Sequence, residues 1–126
     1  MRTQQRNKKL IYVCHKYVDE RGIEKFRKPI PIKENYNATN SDSDLIAMGM
    51  EYPKYLRIKT DIRVEINGKW QNRRELYHPG DKVYVYVEPP KEHDVLCKDA
   101  DYEVDTKPVE TLNQLEVMLL NLSGKN

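Results

Sequence analysis

The sequence has little cysteine, little glycine and no long apolar run. No stretch approaches the roughly 20 uncharged apolar residues that a membrane-spanning helix requires. The run LIYVC, which follows the basic N-terminal segment, is too short for the core of a signal peptide. We therefore expect a cytosolic chain in which Cys14 and Cys97 are reduced thiols. Five glycines and seven prolines without a period exclude collagen-like and low-complexity classes.

The length of 126 residues predicts a single domain, residues 1–126, with a modest core. Charged residues make up 33% of the chain and are unevenly distributed. Residues 1–60 contain 13 Lys or Arg against 7 Asp or Glu, whereas residues 61–126 contain 9 against 13. Such an uneven charge distribution is typical of an ordinary solvated surface. The basic first half and the acidic second half would also let copies of the chain attract each other head to side in a ring.

β-branched and aromatic residues dominate the apolar segments and predict strands. Residues 10–18 and 23–32 are expected to form a hairpin around a polar turn that closes on Gly22. Its second strand is expected at a sheet edge, because Pro29 and Pro31 lack N–H donors for a further neighbour. Later strands are expected at VYVYV (83–87), after a turn at 78–81, and at 101–109 and 114–122.

The dipeptide Asn67-Gly68 is the sharpest turn signal, because it supplies the two positive φ values of a type I′ hairpin. The preceding residues alternate, with Arg63 and Glu65 expected outside. Those expected to face the core are Ile62, Val64 and Ile66.

A long polar insertion interrupts the strands at residues 33–60. Ser41 followed by Asp44 is a capping signature and Gly49 suits the end of a helix, so the insertion is predicted to contain one short helix. Residues 1–9 are predicted to be a flexible basic arm. Together the patterns predict a small β-barrel or sandwich of six to seven antiparallel strands with a long inserted loop.

The sequence offers little for catalysis. Adjacent residues on a strand point to opposite faces, so Cys14 and His15 could not both join His93 and Cys97 around one metal ion. No glycine-rich phosphate loop, G-x-S-x-G or H-E-x-x-H motif is present. We therefore predict no enzyme activity, no catalytic residues, no cofactor and no metal site.

Nine tyrosines and one tryptophan lie among basic residues. VYVYV near Arg73 and Arg74 could stack on nucleic-acid bases, but tyrosines are also enriched at subunit interfaces. The interface is favoured, because the acidic stretch from Glu88 to Asp105 would repel phosphates. The candidate subunit-interface residues are Tyr84, Tyr86, Glu88, Glu92, Asp94, Asp99 and Asp101. The candidate DNA-backbone contacts are Arg2, Arg6, Lys8 and Lys9.

The order of motifs carries a family resemblance. An opening hairpin is followed by F-x-x-P-I-P-I, by AMGMEYPKYLRIKTD at 47–61, by PGDKVYV at 79–85, and by ADYEVD at 100–105 before a final apolar strand. This order resembles the small head-to-tail connector proteins of long-tailed bacteriophages, also called head-closure or stopper proteins. The resemblance extends from about residue 10 to residue 122, although each motif is short.

The resemblance implies a small β-barrel that assembles into a dodecameric ring at the phage neck. The ring would close the DNA-filled head and dock the tail, in particles assembled in the host bacterial cytoplasm. Implied partners are other copies of the chain, the portal or adaptor protein, the tail-terminator protein and packaged DNA, bound non-specifically, with no membrane. The inserted loop would reach the channel or a neighbour, packed by Leu45, Ile46 and Met48. The candidate channel-loop residues are Asn35, Tyr36, Asn37, Asn40, Ser41 and Asp42.

Other functions stay open. A small-barrel nucleic-acid-binding module is the main alternative, and it would bind DNA as an isolated monomer with steep salt dependence. A tail-completion protein of the same particles is the second alternative. A small enzyme ranks third, with His15, His78 and His93 as its only candidates.

Overall fold

A computed structural model describes residues 9–38 and 54–122. The chain is mainly β, with 52% strand and 3% helix, and its curled antiparallel sheet forms a half-barrel, so the predicted mainly β fold class is confirmed. The predicted number of six to seven strands is too low, because the described residues form twelve strands, eight of them in the main sheet. A single 3₁₀ turn lies at Arg73–Glu75 among the described residues. The strands are β1 (Lys9–Cys14), β2 (Lys16–Val18), β3 (Glu24–Phe26), β4 (Ile30–Glu34), β5 (Tyr36–Ala38), β6 (Tyr55–Asp61), β7 (Arg63–Ile66), β8 (Lys69–Asn72), β9 (Lys82–Tyr84), β10 (Tyr102–Val104), β11 (Val109–Thr111) and β12 (Gln114–Asn121).

The main sheet has the order β4-β1-β9-β10-β12-β6-β5, with β11 paired to β12. Its edge strands β4 and β5 are separated in the chain by Asn35 alone, so the two edges meet at this corner and the sheet must curl. β2–β3 and β7–β8 form separate two-stranded sheets. No helix in the described ranges is long and apolar enough to cross a bilayer.

The predicted N-terminal hairpin is confirmed, with its second strand at an edge. β1 pairs with β4, so that Val13 lies opposite Ile30 and Tyr12 opposite Pro31. The chain bends at His15, and the hairpin continues as β2–β3. Pro31 is tolerated because β4 has no partner on its other side within the described residues.

The core lies inside the curl of the sheet. Strand β12 alternates between buried and half-buried positions along its whole length, as a strand with one core face must. It pairs with β6, β10 and β11, and so organises that half of the sheet. The buried apolar residues of this main cluster are Ile11, Val13, Ile32, Leu56, Ile58, Ile66, Leu76, Tyr77, Val83, Tyr102, Val104, Leu115, Val117 and Leu119.

Two short turns close hairpins. Asn67 and Gly68 have φ values of 52° and 81°, which confirms the predicted turn between β7 and β8. The turn between β11 and β12 uses Leu112 and Asn113, with φ values of 46° and 68°. This turn carries no glycine, and for that reason it could not be predicted from the sequence.

The predicted loop at 33–60 is wrong at both ends. Its first residues complete β4 and form β5, and its last residues form β6. Tyr36 lies opposite Ile58 in the β5–β6 ladder, because backbone pairing to β6 is available even to a polar edge segment. The predicted helix, with its capping residues and with Leu45, Ile46 and Met48, lies outside the described residues.

Candidate functional site

The predicted subunit interface includes one core residue. Tyr84 is buried and packs with Cys14, Phe26 and Cys97 in a second, smaller core cluster, so its assignment to an interface is wrong. The reason is that β9 has neighbours on both edges, β1 and β10, and the segment following it folds over its second face. Tyr86 lies beyond the end of β9 and is exposed, so it stays a candidate for the interface.

Two of the predicted interface acids bind the backbone instead. The Asp94 carboxylate accepts hydrogen bonds from the N–H groups of Lys98 and Leu96, which lower its pKa. Asp101 accepts from Val85 at 2.8 Å and from Tyr86 at 2.9 Å, and burial raises its pKa. These acids therefore shape the loop after β9. The predicted interface acids that stay exposed are Glu88, Glu92 and Asp99.

Asp101 ends β9 three residues earlier than the VYVYV pattern predicts, because its carboxylate takes the two N–H groups that would have continued the strand. We expect Asp101→Ala to lower the free energy of unfolding by about 1–3 kcal/mol, since two backbone donors lose their acceptor. Urea denaturation measures this change. Asp99→Ala, on the exposed side of the same loop, is the control and should stay within about 0.5 kcal/mol of the parent; equal losses would contradict the assignment.

Most of the predicted channel-loop residues that are described belong to the sheet. Asn35 connects β4 and β5, whereas Tyr36 is half-buried in β5, so the assignment of Tyr36 to a loop is wrong. The Tyr36 ring meets the Tyr86 ring edge to face at 6.0 Å, and burial raises the Tyr36 pKa to about 12. Asn37 lies in β5 as well. Asn40, Ser41 and Asp42 lie outside the described residues.

One predicted DNA contact is described. Lys9 begins β1 and is exposed, so the predicted arm of residues 1–9 is wrong at its last residue. Its ammonium group lies 5.4 Å from the centre of the Tyr36 ring. Arg2, Arg6 and Lys8 lie outside the described residues.

A surface groove of about 530 Å³ lies between edge strand β4 and the β7–β8 hairpin. Pro31 and Ile32 line it from β4, and Ile66 and Trp70 line it from the hairpin. Trp70 is 62% exposed. The Arg63 guanidinium lies 5.8 Å from the centre of the Trp70 ring, which orients the indole without covering it.

A buried polar network supports this hairpin. Arg73 is 3% exposed and donates from Nε to Glu34, which is fully buried, at 3.0 Å. Arg73 Nη1 also donates to the carbonyl oxygens of Asp61 and Arg63, at 2.7 and 3.0 Å. The Tyr77 hydroxyl donates to the same Glu34 carboxylate, and burial raises the Tyr77 pKa well above its ordinary value. Arg73 is therefore not available to nucleic acid, contrary to one reading of the sequence.

A second polar cluster surrounds Asp81, whose side chain is only 2% exposed. His15 Nδ1 donates to Asp81 Oδ2 at 2.7 Å, and His78 Nδ1 lies 3.5 Å from the same oxygen. The Lys16 N–H donates to Oδ1 and the His78 N–H to Oδ2. Burial raises the Asp81 pKa, but the hydrogen bond from His15 and those from the backbone outweigh it, so the pKa lies below the ordinary value.

Both histidines are candidate functional residues from the sequence alone, whereas Asp81 was not predicted. The signal was the turn sequence His78-Pro79-Gly80-Asp81, which returns the chain so that Asp81 N–H donates to the His78 carbonyl oxygen at 3.0 Å. Among the described residues, His15, His78 and Asp81 form the one cluster of three or more potential metal ligands, with their ligand atoms within 4.8 Å of one another.

The structure does not bring together the four residues that the sequence analysis considered as metal ligands, Cys14, His15, His93 and Cys97. Cys14 and Cys97 are buried and joined by a side-chain hydrogen bond. This hydrogen bond, together with burial, raises the pKa of Cys14. The same hydrogen bond lowers the pKa of Cys97. His93 donates from Nε2 to the Phe26 carbonyl oxygen at 2.7 Å. His15 instead faces Asp81, on the other side of the strand from Cys14.

Comparison of the chain with protein-family models, curated proteins and solved structures finds no match.

Proposed function

We propose that the chain is a structural subunit of a ring at the neck of a long-tailed bacteriophage. Such a ring, dodecameric in the connector family that the sequence resembles, closes the DNA-filled head and offers a docking surface to the tail. Its partners would be further copies of the chain, the portal or adaptor protein and the tail-terminator protein. The half-barrel of antiparallel strands is compatible with the small barrel that this family resemblance implies.

The observation that carries the proposal is the exposed Trp70 on the β7–β8 hairpin. This hairpin is a separate two-stranded sheet, and Trp70 lies beside the groove at the β4 edge. Tryptophan and arginine are enriched among the residues that dominate protein interfaces, and Trp70 is paired with Arg63. A largely exposed indole on a hairpin whose first strand is anchored by the buried Arg73 network is better suited to contact a protein than to remain in water.

Charge supports contact between copies. The segment from Glu88 to Asp105 contains seven acidic residues against two lysines, whereas the first 60 residues carry a basic excess. The groove is lined by Lys33 from this basic part of the chain and by Arg63, together with two acidic residues, Asp61 and Glu65. In a ring, the acidic segment of one copy would approach the basic half of the next, a heterologous contact that closes by rotation.

The test uses a phage that encodes this chain with an amber codon in its gene, grown in a non-suppressing host. We expect tailless heads that have lost their DNA, beside separate complete tails, in negative-stain electron micrographs of the lysate. A plasmid copy of the parent gene should restore infectious particles. Normal particles from the uncomplemented mutant would contradict the proposal and would direct work to the DNA-binding alternative.

Complementation also tests the hairpin surface. A Trp70→Ser copy should reduce the titre by roughly 100-fold or more, because an interface hot spot contributes about 2 kcal/mol or more to each of many identical contacts. Val18→Ser, on the β2–β3 hairpin and 60% exposed, is a control of similar exposure and should complement fully. Full complementation by Trp70→Ser would exclude Trp70 from the assembly contacts.

A further inference from the structure

We propose that His15, His78 and Asp81 form a binding site for a divalent transition-metal ion of the zinc type. The two imidazoles and the carboxylate supply two nitrogen ligands and one oxygen ligand, a set that zinc accepts. The proposal does not depend on the proposed function, because it rests on the geometry of this cluster alone.

Strand register brings His15 to Asp81. β1 and β9 pair antiparallel, with Tyr12 opposite Tyr84, Val13 opposite Val83 and Cys14 opposite Lys82. The next step of this register places His15 beside Asp81, where the 2.7 Å contact is found. Two ligands therefore come from the frame of the main sheet, which favours a site that exists before any ion binds.

The third ligand comes from the turn before β9. His78 stands three residues before Asp81, and the His15 and His78 rings lie with their centres 5.4 Å apart. All three ligand atoms fall within 4.8 Å of one another. At zinc–ligand distances of about 2.0–2.2 Å and a tetrahedral angle, two ligand atoms of one ion lie about 3.3–3.6 Å apart. The longest separation in the cluster must therefore shorten, and the 2.7 Å contact between His15 and Asp81 must lengthen, when an ion binds. The His78 side chain is 59% exposed, which leaves it free to rotate inward.

The carboxylate is already oriented for such a role. Backbone N–H groups of Lys16 and His78 hold its two oxygens, so that Asp81 retains its position if the proton on His15 Nδ1 is displaced by the ion. The Lys16 ammonium, which follows His15 in the chain, is paired with Glu24 at 3.3 Å. With three protein ligands, a tetrahedral ion keeps one position for water or for a side chain of another molecule.

The test uses the full chain without a histidine tag, treated with a chelator and dialysed. We expect one Zn²⁺ per chain by isothermal titration calorimetry near neutral pH, and a Co²⁺ absorption spectrum without thiolate-to-cobalt charge transfer. His78→Ala should weaken Zn²⁺ affinity at least about tenfold, since one of three protein ligands is lost. His78→Gln, which keeps a hydrogen-bonding side chain, repeats the test with less disturbance of the turn.

His93→Ala is the matched control, because His93 is the third histidine of the chain and lies outside the cluster. It should bind Zn²⁺ as tightly as the parent. The proposal would be overturned by an absence of binding at a hundred micromolar Zn²⁺, by thiolate-to-cobalt charge transfer, or by equal weakening in His78→Ala and His93→Ala.

Discussion

Arg73→Ala is expected to lower the free energy of unfolding by about 3–5 kcal/mol, because it leaves the Glu34 carboxylate buried without its cationic partner. Two further hydrogen bonds are lost, from Arg73 to the carbonyl oxygens of Asp61 and Arg63. The loss combines the cost of a buried charge with unsatisfied backbone acceptors. Urea denaturation followed by circular dichroism measures it.

Arg74→Ala is the matched control at the next position. Arg74 also contacts an acid, Glu110, but both side chains are substantially exposed. A surface ion pair contributes about 0–1 kcal/mol, so this variant should unfold nearly as the parent does. Equal destabilisation by the two variants would show that burial of the Glu34–Arg73 pair does not determine its contribution.

The Arg73 network has a consequence for the proposed interface. It joins edge strand β4, through Glu34, to the backbone at the start of β7. These are the two walls of the groove beside Trp70. A fixed groove loses less conformational entropy when a partner binds than a mobile one would. We therefore expect Arg73→Ala to weaken assembly as well as the fold.

Much of the fold could be predicted from local patterns. The apolar segment at 114–122 predicted β12, and the prolines at 29 and 31 placed β4 at an edge. Asn67-Gly68 identified the β7–β8 turn, since its φ requirements are local. In each case the information lies within a few residues, where backbone sterics and the side-chain period act.

The polar clusters could not be predicted in this way. Glu34 and Arg73 are 39 residues apart, and His15 and Asp81 are 66 apart. Only the strand order β4-β1-β9 brings such residues together, and that order follows from the packing of the whole sheet. The early end of β9 could not be predicted for the same reason. The carboxylate that ends this strand belongs to Asp101, which is 16 residues beyond Val85.

The second large effect is expected at Leu119 in the centre of β12. Leu119 is fully buried, and it lies opposite Val104 of β10 on one side and Leu56 of β6 on the other. Leu119→Ala should lower the free energy of unfolding by about 2–5 kcal/mol, because it removes buried methyl groups and leaves a cavity between strands that cannot close fully. Equilibrium unfolding in urea gives the value.

Leu120→Ala is the sharpest control, because it makes the same chemical change one residue away. Adjacent side chains on a strand point to opposite faces, and Leu120 is only half-buried, on the face away from the core. Its loss should cost about 1 kcal/mol or less, since little apolar area returns to water and no enclosed cavity forms. A cost for Leu120→Ala that equals or exceeds that for Leu119→Ala would mean that the outer face of β12 is covered as thoroughly as its core face, as it would be beneath a neighbouring copy. Measuring both variants across a range of protein concentrations separates the two cases, because a face covered by another copy loses stability on dilution and a core face does not.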